Sequence, residues 1–214
     1  MNTLNKNDLT VLYYTSNKEN EKFEAKIRKK LLEVCGDIPI ISVSQKPIDL
    51  GKNICVGDVG ASYLNLHRQI QIGCQEAKTP FVVAAEADCL YPPDYFGFRP
   101  TNLDTCYLYD NIYILKSWTD GFLNKDICFG ALIAGREFYL KKLEKSLLGK
   151  PMWGPEKNNR LWERSDWKFF GTENPVISFK TGRGIMKATK TFGDPVDEVP
   201  YWGKSSTLRK EFFA

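Results

Sequence analysis

The 214 residues, 43% hydrophobic and 26% charged, suffice for one domain with a substantial core and have the balance of a soluble globular chain. No apolar run approaches the roughly 20 residues that cross a bilayer, and MNTLNKNDLTVLYY lacks the pattern of a signal peptide. No membrane insertion and a cytoplasmic location are therefore expected. The net charge of +4 is mild but uneven: between Pro175 and Gly193 the chain carries Lys180, Arg183, Lys187 and Lys190 and no acid, a stretch that favours anions.

In chain order, residues 9–15 (LTVLYYT) read as a strand, because β-branched and aromatic residues dominate a short run. Ser16 and Asn17 break it, and Asn17 is placed to cap a helix reaching residue 34, with Phe23, Ile27, Leu31 and Val34 on one face. Strands follow at 38–43 and 53–56. Gly57 and Gly60 precede a helix over 61–77 whose buried side is read as Tyr63, Leu66, Ile70, Cys74 and Ala77. Residues 81–85 form a continuous apolar strand, suited to the middle of a sheet covered on both faces. This alternation predicts an α/β layer with a largely parallel sheet.

Farther along, 105–109 and 112–116 flank Asp110-Asn111 as a hairpin, and 127–134 (ICFGALIA) is an apolar strand. A helix spans 136–148, a loop covers KPMWGPEKNN, and 160–170 reads as a short aromatic-rich helix. Residues 176–180 are a last strand before a Gly- and Lys-rich tail. The six cysteines are widely spaced with no CxxC pair, which predicts buried reduced thiols rather than zinc ligands or a disulfide framework.

Ligands of open α/β sheets bind beyond the carboxyl ends of the strands. Those ends carry Thr15, Ser16 and Asn17, then Gln45, then Asp58, then Glu86-Ala87-Asp88. Hydroxyls, amides and a carboxylate suit the sugar and base of a nucleotide. By itself an E-x-D after a strand is also what a solvated turn or cap looks like.

The stretch GASYLNLHRQIQIGCQEAKTPFVVAAEADCLYPPDYF resembles the nucleotide-binding core of GT-A-fold glycosyltransferases, family 2-like enzymes with a DxD motif. Gly73, Ala77, Phe81, Val82, Glu86, Asp88, Pro93 and Tyr95 occupy matching places. The resemblance implies a Rossmann-like GT-A fold over 1–214, with a nucleotide-sugar-binding half at 1–104 and an acceptor-side half at 105–214. It implies a nucleotide-sugar donor and Mn²⁺ or Mg²⁺ on Asp88, with Glu86 as second ligand or ribose contact. Lys180 and Arg183 would meet the diphosphate.

Inversion at the anomeric carbon needs a base for the acceptor hydroxyl. By the same resemblance Asp166 is the first choice and Glu163 the second, with Gly130 and Ala131 on the acceptor side; Trp153 and Trp162 cluster in the same region and have faces that stack on sugar rings or bases. Two features depart from the family pattern: Glu86 replaces the first aspartate, and the single histidine, His67, precedes the motif. A nucleic-acid base, a protein and a saccharide all stay open as acceptor. A nucleotidyltransferase is the second reading, weakened because LYYTSNKEN lacks a Gly-rich basic loop. A non-catalytic nucleotide- or nucleic-acid-binding module is the third.

Overall fold

A computed structural model of the chain describes residues 8–156, 161–185 and 190–213. The elements run β1 (Leu9–Thr15), α1 (Glu21–Cys35), β2 (Ile40–Ser44), β3 (Lys52–Cys55), α2 (Tyr63–Glu76), β4 (Phe81–Glu86), β5 (Cys89–Leu90) and α3 (Pro93–Gly97). They continue with β6 (Cys106–Tyr109), β7 (Ile112–Lys116), β8 (Phe122–Lys125), β9 (Leu132–Gly135) and α4 (Arg136–Leu147). Last come β10 (Trp167–Phe170), β11 (Val176–Lys180), β12 (Thr191–Val196), β13 (Glu198–Val199), β14 (Gly203–Lys204) and α5 (Ser205–Phe213). No helix among the described residues is long and apolar enough to cross a membrane.

A seven-stranded sheet in the order β10-β6-β9-β4-β1-β2-β3 forms the centre. Its pairs are parallel except that β9 runs against both β4 and β6. The side-chain period of two sorts each strand between layers. Leu9, Val11 and Tyr13 of β1 join Val83 and Ala85 of β4 against Leu31 of α1 and Tyr95 of α3. Leu12 and Tyr14 join Val82 and Ala84 against Ile70 and Cys74 of α2 and Leu143 of α4. Helices on both faces of a mostly parallel sheet give the α/β, Rossmann-like architecture expected from the sequence.

A second sheet, in the order β12-β8-β7-β11-β5, has no counterpart in the sequence reading. Leu115, Phe122, Ile177 and Phe179 of this sheet pack on Phe23 and Ile27 of α1 and on Leu208 and Phe212 of α5. The expected hairpin across Asp110-Asn111 is thereby corrected. β6 pairs with β9 and β10, whereas β7 pairs with β8 and β11, so the chain changes sheets at those two residues. The crossing is tight: a Cβ on Gly171 would stand 1.8 Å from the Asp110 carboxylate.

Three further expectations are corrected. The cap of α1 is Asn20, whose side chain accepts from Lys22 N and Phe23 N, and not Asn17. The apolar run 127–134 is strand only from Leu132; the part before it is a turn. The helix expected over 160–170 is instead a 3-10 turn, Arg164–Asp166, followed by edge strand β10. Both sheets draw strands from either side of residue 104: β10-β6-β9 lie beside β4-β1-β2-β3 in the first, and β5 edges the second.

Candidate active site

A cleft of about 590 Å³ opens beside the carboxyl ends of β1 and β4. Glu86 and Asp88 face it because β4 ends at Glu86 and the chain turns at once into β5. Two tyrosines of the following YPPDYF segment hold that turn. Tyr91 Oη accepts from Glu86 N at 2.8 Å and donates to the Gly130 carbonyl at 2.6 Å. Tyr95 Oη bonds to the carbonyls of Ala84 on β4 and Leu132 on β9, at 3.0 and 2.9 Å.

Register brings the cations. β5 pairs antiparallel with β11, Cys89 opposite Ser178, and Phe179 N donates to the Asp88 carbonyl at 2.7 Å. Lys180, one residue on, and Arg183 in the following loop therefore reach the same cleft as Asp88. Burial pushes the Asp88 carboxyl above its usual range, and the Lys180 charge works in the opposite direction. Burial, with Asp88 close by, raises Glu86 as well. Neither carboxylate forms a salt bridge among the described residues.

Lys125 at the end of β8 and Cys128, Phe129 and Gly130 of the turn before β9 also line the cleft. A Cβ on Gly130 would lie 2.3 Å from the Glu86 carboxyl carbon, so a larger residue there would push the Glu86 side chain aside. Lys125 is buried, and although burial disfavours its charge, Cys128, Cys89 and Glu86 hold it protonated. The ligand atoms of Glu86, Cys89 and Cys128 lie within 4.8 Å of one another. Cysteines far apart in the chain are thus brought together, which spacing along the sequence does not reveal. Cys55, expected to be buried, is exposed.

Of the residues singled out from sequence, Thr15, Ser16, Glu86, Ala87, Asp88, Gly130, Trp162, Lys180 and Arg183 line the cleft. Trp162 does so from the core, packed between Phe138 and Tyr139. Asn17 and Gln45 do not line it; they shape its walls. Asn17, in the left-handed region at φ 52°, accepts from Gln45 N and Lys46 N with its side chain. Gln45 in turn accepts from Val59 N and Gly60 N and donates to the Gly60 carbonyl. Asp58 is exposed on that loop, away from the cleft lining. Ala131 is fully buried, and Trp153 also lies outside the lining. Lys187 falls outside the described residues, and exposed Lys190 stacks over Phe192.

Neither acid chosen as base lines the cleft. Asp166 bonds to Lys142 Nζ at 2.5 Å and accepts from Glu163 N at 2.8 Å, and the Glu163 side chain returns a capping bond to the turn. Burial alone would raise the Asp166 carboxyl, but the bonds from Lys142 and Glu163 outweigh it and hold it below its usual range. Asp166→Asn should cost about 1–2 kcal/mol of stability through the weakened cap and ion pair, read by urea denaturation. Turnover per folded molecule should stay within about twofold of wild type, and a collapse of turnover would restore Asp166 as base.

Tyr14, Lys18, Glu19, Glu24, Lys125 and Phe129, none of them singled out from sequence, also line the cleft, as does His67, which the residues suggest is a structural histidine near the buried face of its helix. Glu24 anchors the end of β1: it accepts from Thr15 Oγ1 at 2.9 Å, and burial pushes it up to about 7 despite that bond and the Arg28 charge. His67 is 8% exposed, and burial together with the Lys150 charge brings it down to about 4. Its neutral form is favoured by folding, so this contribution is complete above the unfolded histidine value near 6.5. It is lost as pH falls from there toward 4, by up to about 3 kcal/mol. Denaturation of wild type and His67→Gln at pH 7 and 4.5 should show the wild type losing more; parallel losses would refute this.

No protein-family model matches the chain, and no curated protein sequence matches it. Solved structures do. The chain is similar to HddC from Yersinia pseudotuberculosis at 14% identity and TM-score 0.48, covering 79% of this chain and 92% of that one. It is similar to S. aureus TarS 1-349 in complex with UDP-GlcNAc at 11% identity and TM-score 0.46, covering 81% of this chain and 58% of that one. A glycosyltransferase involved in glycosylation of the major capsid of PBCV-1 matches at 13% identity and TM-score 0.41, covering 67% and 68%. The chain thus spans less than two thirds of that TarS fragment.

Proposed function

We propose that the chain is a glycosyltransferase that moves a hexose or pentose from a nucleoside-diphosphate sugar to an acceptor hydroxyl, with Mn²⁺ or Mg²⁺ and inversion at the anomeric carbon. The observation that carries this reading is one cleft lined by Asp88, in the turn after β4, together with Lys180 and Arg183. A carboxylate for a hard cation and two cations for phosphate oxygens are the parts that recognition of a diphosphate requires.

The donor atoms fit such an ion at Asp88 better than at Glu86. Asp88 offers carboxylate oxygen on the cleft wall, which hard cations take together with phosphate oxygens and water. Glu86 shares its surroundings with two thiols, a softer set. Bound at Asp88, the cation would neutralise the charge that gathers on the leaving diphosphate. Lys180 supplies a point charge and Arg183 a planar fork for the phosphate oxygens. Thr15 and Ser16 border the nucleoside end, and Gly130 sets the distance between Glu86 and the acceptor side. The acids that face the cleft among the described residues are Glu19, Glu24, Glu86 and Asp88, and the base for the acceptor hydroxyl is sought among these.

A thermal-shift series with nucleoside-diphosphate sugars and nucleoside triphosphates, with and without Mn²⁺, tests the reading. Stabilisation by one diphosphate sugar that grows with Mn²⁺ is the expected result. Preference for triphosphates, or no response to any nucleotide, would overturn it. Proton NMR of the first product formed reads inversion directly.

A further inference from the structure

We propose that Glu86, Cys89 and Cys128 form a binding site for a thiophilic divalent ion of the zinc class, separate from the hard ion proposed at Asp88. Their ligand atoms, one carboxylate oxygen and two thiol sulfurs, all lie within 4.8 Å of one another. Around tetrahedral zinc such atoms stand about 3.5–3.8 Å apart, given the usual zinc–sulfur and zinc–oxygen bond lengths. Cys89 Sγ and Glu86 Oε2 are 4.0 Å apart, so small side-chain rotations close the set. Glu86 is already aimed for this. Tyr14 Oη donates to its Oε1 at 3.3 Å, which leaves Oε2 on the side of the thiols. The turn that carries Cys128 passes against the same oxygen, since a Cβ on Gly130 would lie 2.3 Å from Oε2.

The donor set decides the class of ion. Two sulfurs and one oxygen select a soft or borderline metal, whereas Mg²⁺ and Mn²⁺ take oxygen ligands. Two thiolates and a carboxylate leave one net negative charge around a divalent ion. Lys125, buried beside the cluster and in no salt bridge among the described residues, carries the charge that offsets it. The three ligands come from the end of β4, from β5 and from the turn before β9, so a bound ion ties these segments together. Glu86 and Cys128 line the cleft, which gives the ion a way in and leaves its fourth position to water. Cys89 Sγ also stands 3.6 Å from Asp88 Oδ1, so the soft site borders the proposed hard one without using Asp88.

The test is titration of the reduced full chain with Cd²⁺ and with Co²⁺, in the absence of nucleotide, followed by ultraviolet and visible absorption. The wild type should take up one Cd²⁺ with a thiolate-to-metal band, and one Co²⁺ with the visible bands of a tetrahedral site. Zn²⁺ should displace the Co²⁺, and excess Mg²⁺ should not. Cys128→Ser should weaken binding by at least about 100-fold, since loss of even an outer partner of a ligand costs about 10–100-fold. Glu86→Gln should keep the thiolate band with weaker affinity, and circular dichroism confirms that both variants are folded. Cys55→Ser, which removes the exposed thiol, and Asp88→Asn should bind as the wild type does. No thiolate band in the wild type, unchanged affinity in Cys128→Ser or Glu86→Gln, or a band lost in Cys55→Ser or Asp88→Asn would overturn the proposal. With no nucleotide present, the result is independent of the transferase reading, which donor binding with Mn²⁺ tests separately.

Discussion

Asp88→Asn should lower sugar transfer by about 100-fold or more and remove its dependence on Mn²⁺, while the protein stays folded. The substitution keeps the size and shape of the side chain but takes away the charge that would hold a hard cation. Metal stabilisation of a leaving group amounts to several kcal/mol, and each 1.36 kcal/mol is tenfold in rate. The fold does not need this charge. Burial already disfavours it, and no salt bridge among the described residues depends on it. Thermal stability should therefore be equal to that of the wild type or slightly higher. The measurement is initial rate against Mn²⁺ concentration for both proteins. An Asp88→Asn protein with the wild-type rate and metal response would remove the proposed function.

Tyr95→Ala should show the largest loss of stability, about 3–5 kcal/mol, by analogy with other large-to-small changes at fully buried aromatics. For a chain of this size that corresponds to a fall in Tm of roughly 6–20 °C. Tyr95 is completely buried and packs against Tyr91, Phe96, Tyr109 and Phe170, with ring centroids 4.8 to 6.0 Å away. Its hydroxyl also joins β4 to antiparallel β9 through two carbonyls. Tyr95→Phe separates the two contributions and should cost about 1 kcal/mol, the share of the hydrogen bonds. Urea denaturation of the three proteins measures both. Equal stability of Tyr95→Phe and Tyr95→Ala would show that the hydroxyl, and not the ring, is what matters.

The proline- and tyrosine-containing segment that the sequence likened to a family motif thus has a structural explanation of its own. Tyr91 and Tyr95 fix the end of β4, and through it the direction in which Glu86 and Asp88 leave the sheet. The same segment shows why the candidate acids were legible early. They sit at the end of an apolar run, where local composition marks both the strand and its termination. Lys180 and Arg183 were legible for a different local reason, the acid-free basic stretch between Pro175 and Gly193. Cys128 and Phe129 were not, because an uninterrupted apolar run over 127–134 reads as strand, and Lys125 ends β8, a strand that local composition does not mark. In the fold that run begins as a turn whose Gly130 lies close to the Glu86 side chain, from far earlier in the chain.

Strands β1 and β11 stand where the residues alone put them, and α2, β4 and α4 within about two residues, since periodicity and burial on a single element are local properties. The pairing of strands is not. β6 and β7 have the composition of a hairpin, yet each finds partners in a different sheet. β10, WKFF, has the look of a helix end until the distant strand β6 supplies its ladder. Likewise Asp166 is a plausible base in sequence and becomes a cap and ion-pair partner only when Lys142 of α4 is packed beside it. The parallel α/β layer and the acids at its edge are written in the local order of residues, because they follow from the pattern of near neighbours. Which distant side chains complete the cleft was decided only by the tertiary structure, because strand register and helix packing bring together residues that no local pattern relates.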